Sequence, residues 1–118
     1  MTLLTSHVLD AVAGRSAVGI RVALYRVSTN GEREQIFEVR SDAEGRIANE
    51  VEIDSGAASQ EYELVFYGYE YLIEHHALEH IAQNMRTSVV RFSMESRDQR
   101  YHIPLVLSPH SYTVWWSE

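Results

Sequence analysis

The chain has 118 residues, with ten Lys and Arg against seventeen Asp and Glu, a formal net charge of −7. That length accommodates one domain, residues 1–118, whose core needs no metal or disulfide staple, and the chain contains no cysteine. An acidic chain is a poor match for a phosphate backbone, and no apolar run approaches a membrane span, so neither nucleic acid nor a membrane is expected as a partner. The opening M-T-L-L-T-S-H has no basic n-region, so a cytoplasmic protein is expected.

Leu3 to Asp10 alternates, with Leu3, Thr5, His7 and Leu9 on one face and Leu4, Ser6, Val8 and Asp10 on the other, the period of a strand. Ala11 to Ser16, with Gly14, reads as a turn, and Ile20 to Val27 as a β-branched strand. Asn30-Gly31 is a strong hairpin signal, because both residues tolerate positive φ. Gln35 to Arg40 is then the return strand, Ser41 to Gly45 a turn, and Arg46 to Ile53 a weakly alternating strand. Asp54 to Gln60 is a loop of small residues, and Tyr62 to Tyr67 a further strand.

The period changes next. Glu70 to Gln83 places Ile73, Ala77 and Ile81 at i, i+4 and i+8, the stripe of one short amphipathic helix. Thr87 to Met94 is a strand and Glu95 to Arg100 a charged turn. Tyr101, Ile103, Leu105 and Leu107 then alternate with His102, Pro104, Val106 and Ser108. Pro104 has no N–H, so it implies an edge or a local break in the ladder. Ser108-Pro109 ends the run, and Tyr112 to Trp116 is a last aromatic strand. Short strands at regular spacing with one helix predict an all-β fold, a two-sheet antiparallel β-sandwich.

His75-His76-Ala77-Leu78-Glu79-His80 contains H-x-x-E-H, the order found in one class of zinc peptidases. On a helix His76 and His80 would share a face. Those enzymes are much larger than this chain, so the histidines read as a solvated helix face, and no metal is expected. His7 and His102 lie in mid-strand and Arg46 at a strand start, where such side chains are uncommon enough to ask about. Spacing alone does not bring them together. Tyr112, Trp115 and Trp116 read as core, interface or ligand stack, with interface favoured.

Three stretches together resemble the transthyretin family. Thr5-Ser6-His7-Val8-Leu9-Asp10, with Gly14-Arg15 and Gly19 after it, resembles that family's T-H-V-L-D opening. Ser41-Asp42-Ala43-Glu44-Gly45-Arg46 resembles its S/T-D-x-x-G-R turn, and Tyr101 to Pro109 its Y-H-V-P-L-L-L-S-P. The resemblance implies the transthyretin-like β-sandwich, assembled as a homotetramer (a dimer of dimers) with sites in a channel between subunits. It also implies one of two functions. One is hydrolysis of 5-hydroxyisourate, or a close cyclic ureide or amide, in urate degradation. The alternative is a non-catalytic ligand-binding protein that uses the same channel.

The hydrolase branch of the family is marked by two histidines and an arginine, matched here by His7, Arg46 and His102. The resemblance makes these the catalytic set, with no cofactor. Imidazoles can divide base and acid work near neutral pH, and a fixed guanidinium can offset negative charge in the transition state. Which histidine is the base is left open. The hydrolase branch ends in Y-R-G-S, whereas this chain ends Trp115-Trp116-Ser117-Glu118. Tyr112, Trp115, Trp116 and Glu118 are therefore expected to line the substrate channel, with an indole and a carboxylate in place of a cation and a hydroxyl.

Overall fold

A computed structural model describes residues 1–53, 60–78, 84–94 and 99–117. Its elements run β1 (Thr2–Asp10), β2 (Arg15–Ser16), β3 (Arg21–Val27), β4 (Arg33–Arg40), β5 (Arg46–Val51), β6 (Gln60–Phe66), α1 (Gly68–His75), β7 (Ser88–Met94), β8 (Arg100–His102), β9 (Leu105–Leu107) and β10 (Tyr112–Val114). One sheet is ordered β4-β3-β6-β7. The other is built around β1. Leu3 pairs with Glu50 of β5 and with Arg100 of β8, so those strands take opposite edges of β1. Leu9 likewise lies between Ser16 of β2 and Val106 of β9.

The two-sheet sandwich with one short helix is the architecture expected from the alternation. Leu4 and Val8 of β1 meet Val22 and Leu24 of β3, Leu64 and Phe66 of β6, and Leu105 of β9 in one core. A buried leucine or phenylalanine contributes about 1.5–3 kcal/mol relative to exposure, so the even-numbered face of β1 fixes the sandwich. The pairings of β1 with β8 and β9 are parallel, so the expected antiparallel sandwich contains one mixed sheet. The Tyr101–Leu107 run is divided between β8 and β9 at Ile103-Pro104. Its register survives, with His102 opposite Thr5 and Leu105 opposite Val8 at the same offset. The missing Pro104 N–H interrupts the ladder without turning any side chain to the other face.

Arg15–Ser16, read as the end of a turn, pairs with β1 as β2, and the helix also departs from the sequence reading. The Asn30-Gly31 hairpin joins β3 to β4 as expected, closed by the Ser28 N–H donating to the Glu32 carbonyl at 2.9 Å, with Gly31 at φ 89°. The helix covers Gly68–His75, not Glu70 to Gln83, and His76 at its end is extended (φ −138°, ψ 137°). Its buried side is Gly68, Tyr71 and Leu72, while Ile73 is exposed. The i, i+4, i+8 stripe was therefore not the packing face. Gly68 lies so close to β9 that an added Cβ would stand 2.7 Å from Leu107 Cδ1. Contact with the sheet selects the helix face here, overriding the local period. Residues 79–83 lie outside the described residues.

Candidate active site

The odd-numbered face of β1 points away from the core. Arg46, the first residue of β5, stands directly opposite His7, and His102 of β8 stands directly opposite Thr5. Residues in register share a face, so His7, Arg46 and His102 all lie on the outer surface of the β1 sheet. With strands about 4.8 Å apart and about 3.3 Å per residue, the His7 and His102 Cα atoms are about 8 Å apart, and those of Arg46 and His102 about 12 Å.

Each residue is placed by a local device. The turn before Arg46 is held by Asp42, whose Oδ1 accepts the N–H groups of Glu44 and Arg46, both at 2.9 Å. Gly45 (φ 75°) lies against β1, and an added Cβ would be 2.8 Å from both Ser16 Cβ and the Val8 carbonyl oxygen. Only glycine allows that approach in that conformation. Ser41 fixes the other end of the turn. It donates to the Ala17 carbonyl at 2.7 Å and accepts from the Ile20 N–H at 3.0 Å. The Ser-Asp-x-x-Gly-Arg stretch is thus a turn that delivers the guanidinium to the sheet face.

His102 is half-buried, and its Nδ1 lies 2.8 Å from Thr5 Oγ1. Thr5 Oγ1 also donates to the Tyr101 carbonyl at 3.3 Å. When the Thr5 proton is engaged there, the Thr5 oxygen can accept from Nδ1–H. That tautomer leaves the Nε2 lone pair of His102 unprotonated. Burial holds the His102 pKa below the ordinary histidine value, reinforced by the charges of Arg100, Arg46 and His7 and opposed by a hydrogen bond to the Thr5 backbone. The neutral ring is thereby favoured at neutral pH. His7 Nε2 lies 3.1 Å from Ser16 Oγ.

The terminal residues separate. Ser117 forms a β-bridge with His102, its N–H donating to the His102 carbonyl at 2.9 Å, so its side chain belongs to the histidine face. Trp116 turns the other way. Its ring centroid is 5.1 Å from that of Tyr101 and 6.3 Å from that of Phe92. Trp115 is 43% exposed and, by alternation with Ser117, belongs to the outer face. Tyr112 pairs with Leu107 on the core side and lines a small crevice with Gly68 and Leu72 of α1. Glu118 lies outside the described residues. Within one chain the structure gathers His7, Arg46 and His102 on one face and sets Tyr112 and Trp116 elsewhere.

Sequence reasoning missed Thr5, Ser16 and Ser117. The alternation that placed Thr5 beside His7 was the available signal for Thr5, but its pairing with His102 is a parallel contact between the two ends of the chain. The helix histidines have a different role from the one weighed above. His76 Nε2 is 2.8 Å from Oδ2 of Asp10, which also accepts from Tyr71 Oη at 2.7 Å. His80 lies outside the described residues.

A family model described as HIUase/Transthyretin family matches residues 4–116. The chain is 33% identical to 5-hydroxyisourate hydrolase 2 of Rhizobium meliloti over 112 residues, 95% of this chain and 92% of that protein. It is 34% identical to the 5-hydroxyisourate hydrolase of Deinococcus radiodurans over 113 residues, again 95% and 92%. Among solved structures, Klebsiella pneumoniae 5-hydroxyisourate hydrolase superposes with a TM-score of 0.76 at 21% identity over the whole of both chains. Sea bream transthyretin, solved with thyroxine, gives 0.79 at 23% identity, over 97% of this chain and 93% of that one. The chain belongs to the HIUase/transthyretin family.

Proposed function

We propose that this protein hydrolyses 5-hydroxyisourate, with His7, Arg46 and His102 as its catalytic residues. The observation that carries this reading is the convergence of those side chains on one sheet face, with His102 Nδ1 held 2.8 Å from Thr5 Oγ1. The hydrolase relatives support the substrate class.

In the proposed reaction, His102 Nε2 takes a proton from water as the water oxygen attacks a ring carbonyl carbon. The Arg46 guanidinium holds the negative charge that develops on the carbonyl oxygen. The acyl–nitrogen bond then breaks, and the departing nitrogen takes a proton from His7. Solvent returns a proton to His7 and removes one from His102, so the net change is addition of one water.

The test is the decay of freshly generated 5-hydroxyisourate with purified protein. The expected result is a rate above the spontaneous one, reduced about 10²–10⁴-fold in His102→Ala. No acceleration by the wild type would overturn the enzyme reading and leave ligand binding on the same face. The proposal includes a cytoplasmic homotetramer. Half-buried Leu3, Leu9 and Val106 on the outer face support a partner there. Light scattering that gives a monomer at micromolar concentration would overturn the inter-subunit channel.

A further inference from the structure

Arg100 precedes His102 by two residues on β8, and the register that sets His102 opposite Thr5 sets Arg100 opposite Leu3. Arg100 therefore stands on the same outer face as His7, Arg46 and His102, about 7 Å along the strand from His102. It is exposed. The arginines of the other sheet are used differently. Arg21, Arg26, Arg33 and Arg91 form ion pairs with glutamates, and Arg40 donates to the Gly19 carbonyl at 2.9 Å. Arg100 forms no hydrogen bond or ion pair with a described residue.

The surrounding charges are mixed. His7 faces His102 from β1 and Arg46 from β5. Asp42 stands beside Arg46 in the turn. Glu50 is on the same cross-strand row as Arg100, beyond Leu3. Two strand spacings, about 10 Å, separate the backbones of Glu50 and Arg100. Arg100 is close enough to His102 for its charge to help hold that ring neutral. It is thus a cation without an ion-pair partner among the described residues, beside a neutral base and on the strand opposite Arg46.

We propose that Arg100 is a substrate-binding residue of this site: its guanidinium engages an oxygen of the ureide ring, so that the ring lies over His102 between Arg100 and Arg46. The inference rests on the His7–Arg46–His102 reading. A planar donor fork suits the oxygens of such a ring, and a flexible exposed arginine contributes to holding substrate before it contributes to the transition state.

The experiment compares wild type, Arg100→Gln, Arg100→Lys and His102→Ala by steady-state kinetics on freshly generated 5-hydroxyisourate, across the histidine titration range. In Arg100→Gln, KM should rise about tenfold with kcat held within about twofold, the pattern of lost uniform binding. The ascending limb of its pH profile should move to higher pH, because one cation near His102 has gone. Arg100→Lys should restore the limb and part of the KM. An Arg100→Gln protein with wild-type KM and pH profile would overturn the inference while His102→Ala inactivity left the catalytic reading standing. Wild-type activity in His102→Ala would overturn both.

Discussion

Thr5 Oγ1 and His102 Nδ1 are 2.8 Å apart, although 97 positions separate them in the chain. The contact exists because β8 docks on β1 in parallel, and it orients the His102 imidazole on the outer face of the sheet. Thr5→Val preserves shape and removes the acceptor. A hydrogen bond of this kind contributes about 0.5–1.5 kcal/mol net, so kcat/KM is expected to fall about 2- to 10-fold. Thr5→Ser should retain most of the rate. Equal activity in Val and Ser variants would remove Thr5 from the account.

The His102 shift gives a direction for the pH dependence. Burial first, then the cations of Arg100, Arg46 and His7, place its pKa below 6.5. A base must be unprotonated to act, so kcat/KM should reach its acidic half-maximum below that value. For folding, a depressed histidine pKa means that protonation favours the unfolded chain. This contribution to stability is complete above the unfolded value and is lost as pH falls through the folded one. A kinetic half-maximum clearly above 6.5 would contradict His102 as the base.

Gly45→Ala tests how tightly the arginine turn is coupled to β1. The residue is at φ 75°, and a methyl group there would meet Ser16 Cβ and the Val8 carbonyl at 2.8 Å. Strain at such a position costs on the order of 1–3 kcal/mol. The same push would move Ser16 away from His7 and Arg46 away from its place opposite His7. Chemical denaturation should show the loss of stability, and kcat should fall with it. A variant with unchanged midpoint and unchanged kcat would show that the turn relaxes freely.

Asp10 is 2% exposed and accepts from Val12 N–H, Ala13 N–H, Tyr71 Oη and His76 Nε2. Burial alone would raise its pKa, but the His76, Ala13 and Tyr71 hydrogen bonds outweigh it and hold the carboxyl below its ordinary value. The stability it contributes is therefore present above the ordinary carboxylate pKa and is lost as pH falls through the lower folded value. Asp10→Ala strands the buried Tyr71 hydroxyl and the half-buried His76 imidazole and should cost about 3 kcal/mol. Thermal melts across acidic pH should show a flatter profile in the variant. A wild-type melt in Asp10→Ala would refute this role.

Trp116 is expected to act on stability. It covers Tyr101 and Phe92 while remaining 48% exposed. Aromatic pairs contribute about 0.5–1.5 kcal/mol beyond area burial, so Trp116→Ala should lower the unfolding free energy by about 1–3 kcal/mol. An unchanged unfolding midpoint would show that the indole packs on nothing that matters to the fold.

Much of the sandwich was legible because β1 has a period of two, with Leu4 and Val8 in the core and Leu3, His7 and Leu9 on the outer face. Ser41 to Arg46 was legible as a turn, since Asp and Gly sit where the backbone needs an acceptor and a positive φ. The helix boundaries were not, because Ile73 and Ala77 have a helical period but are exposed. Contact with Leu107 selected Gly68, Tyr71 and Leu72. The convergence of His7 with His102 was not legible either. No local pattern encodes a parallel register between the first strand and one near the end of the chain. Trp115, Trp116 and Ser117 needed that same register before their faces could be told apart.

The position of β1 also bears on how the protein is made. A ribosome releases β1 well before β8 and β9, its partners on one edge. Until Arg100 to Leu107 emerge, that edge offers open backbone donors and acceptors beside Leu4 and Val8. Unpaired edges of this kind recruit other chains. The face that joins His7 to His102 and the pairing of that edge therefore arrive in one late event, and a ribosome stalled before residue 100 would present an aggregation-prone strand without either.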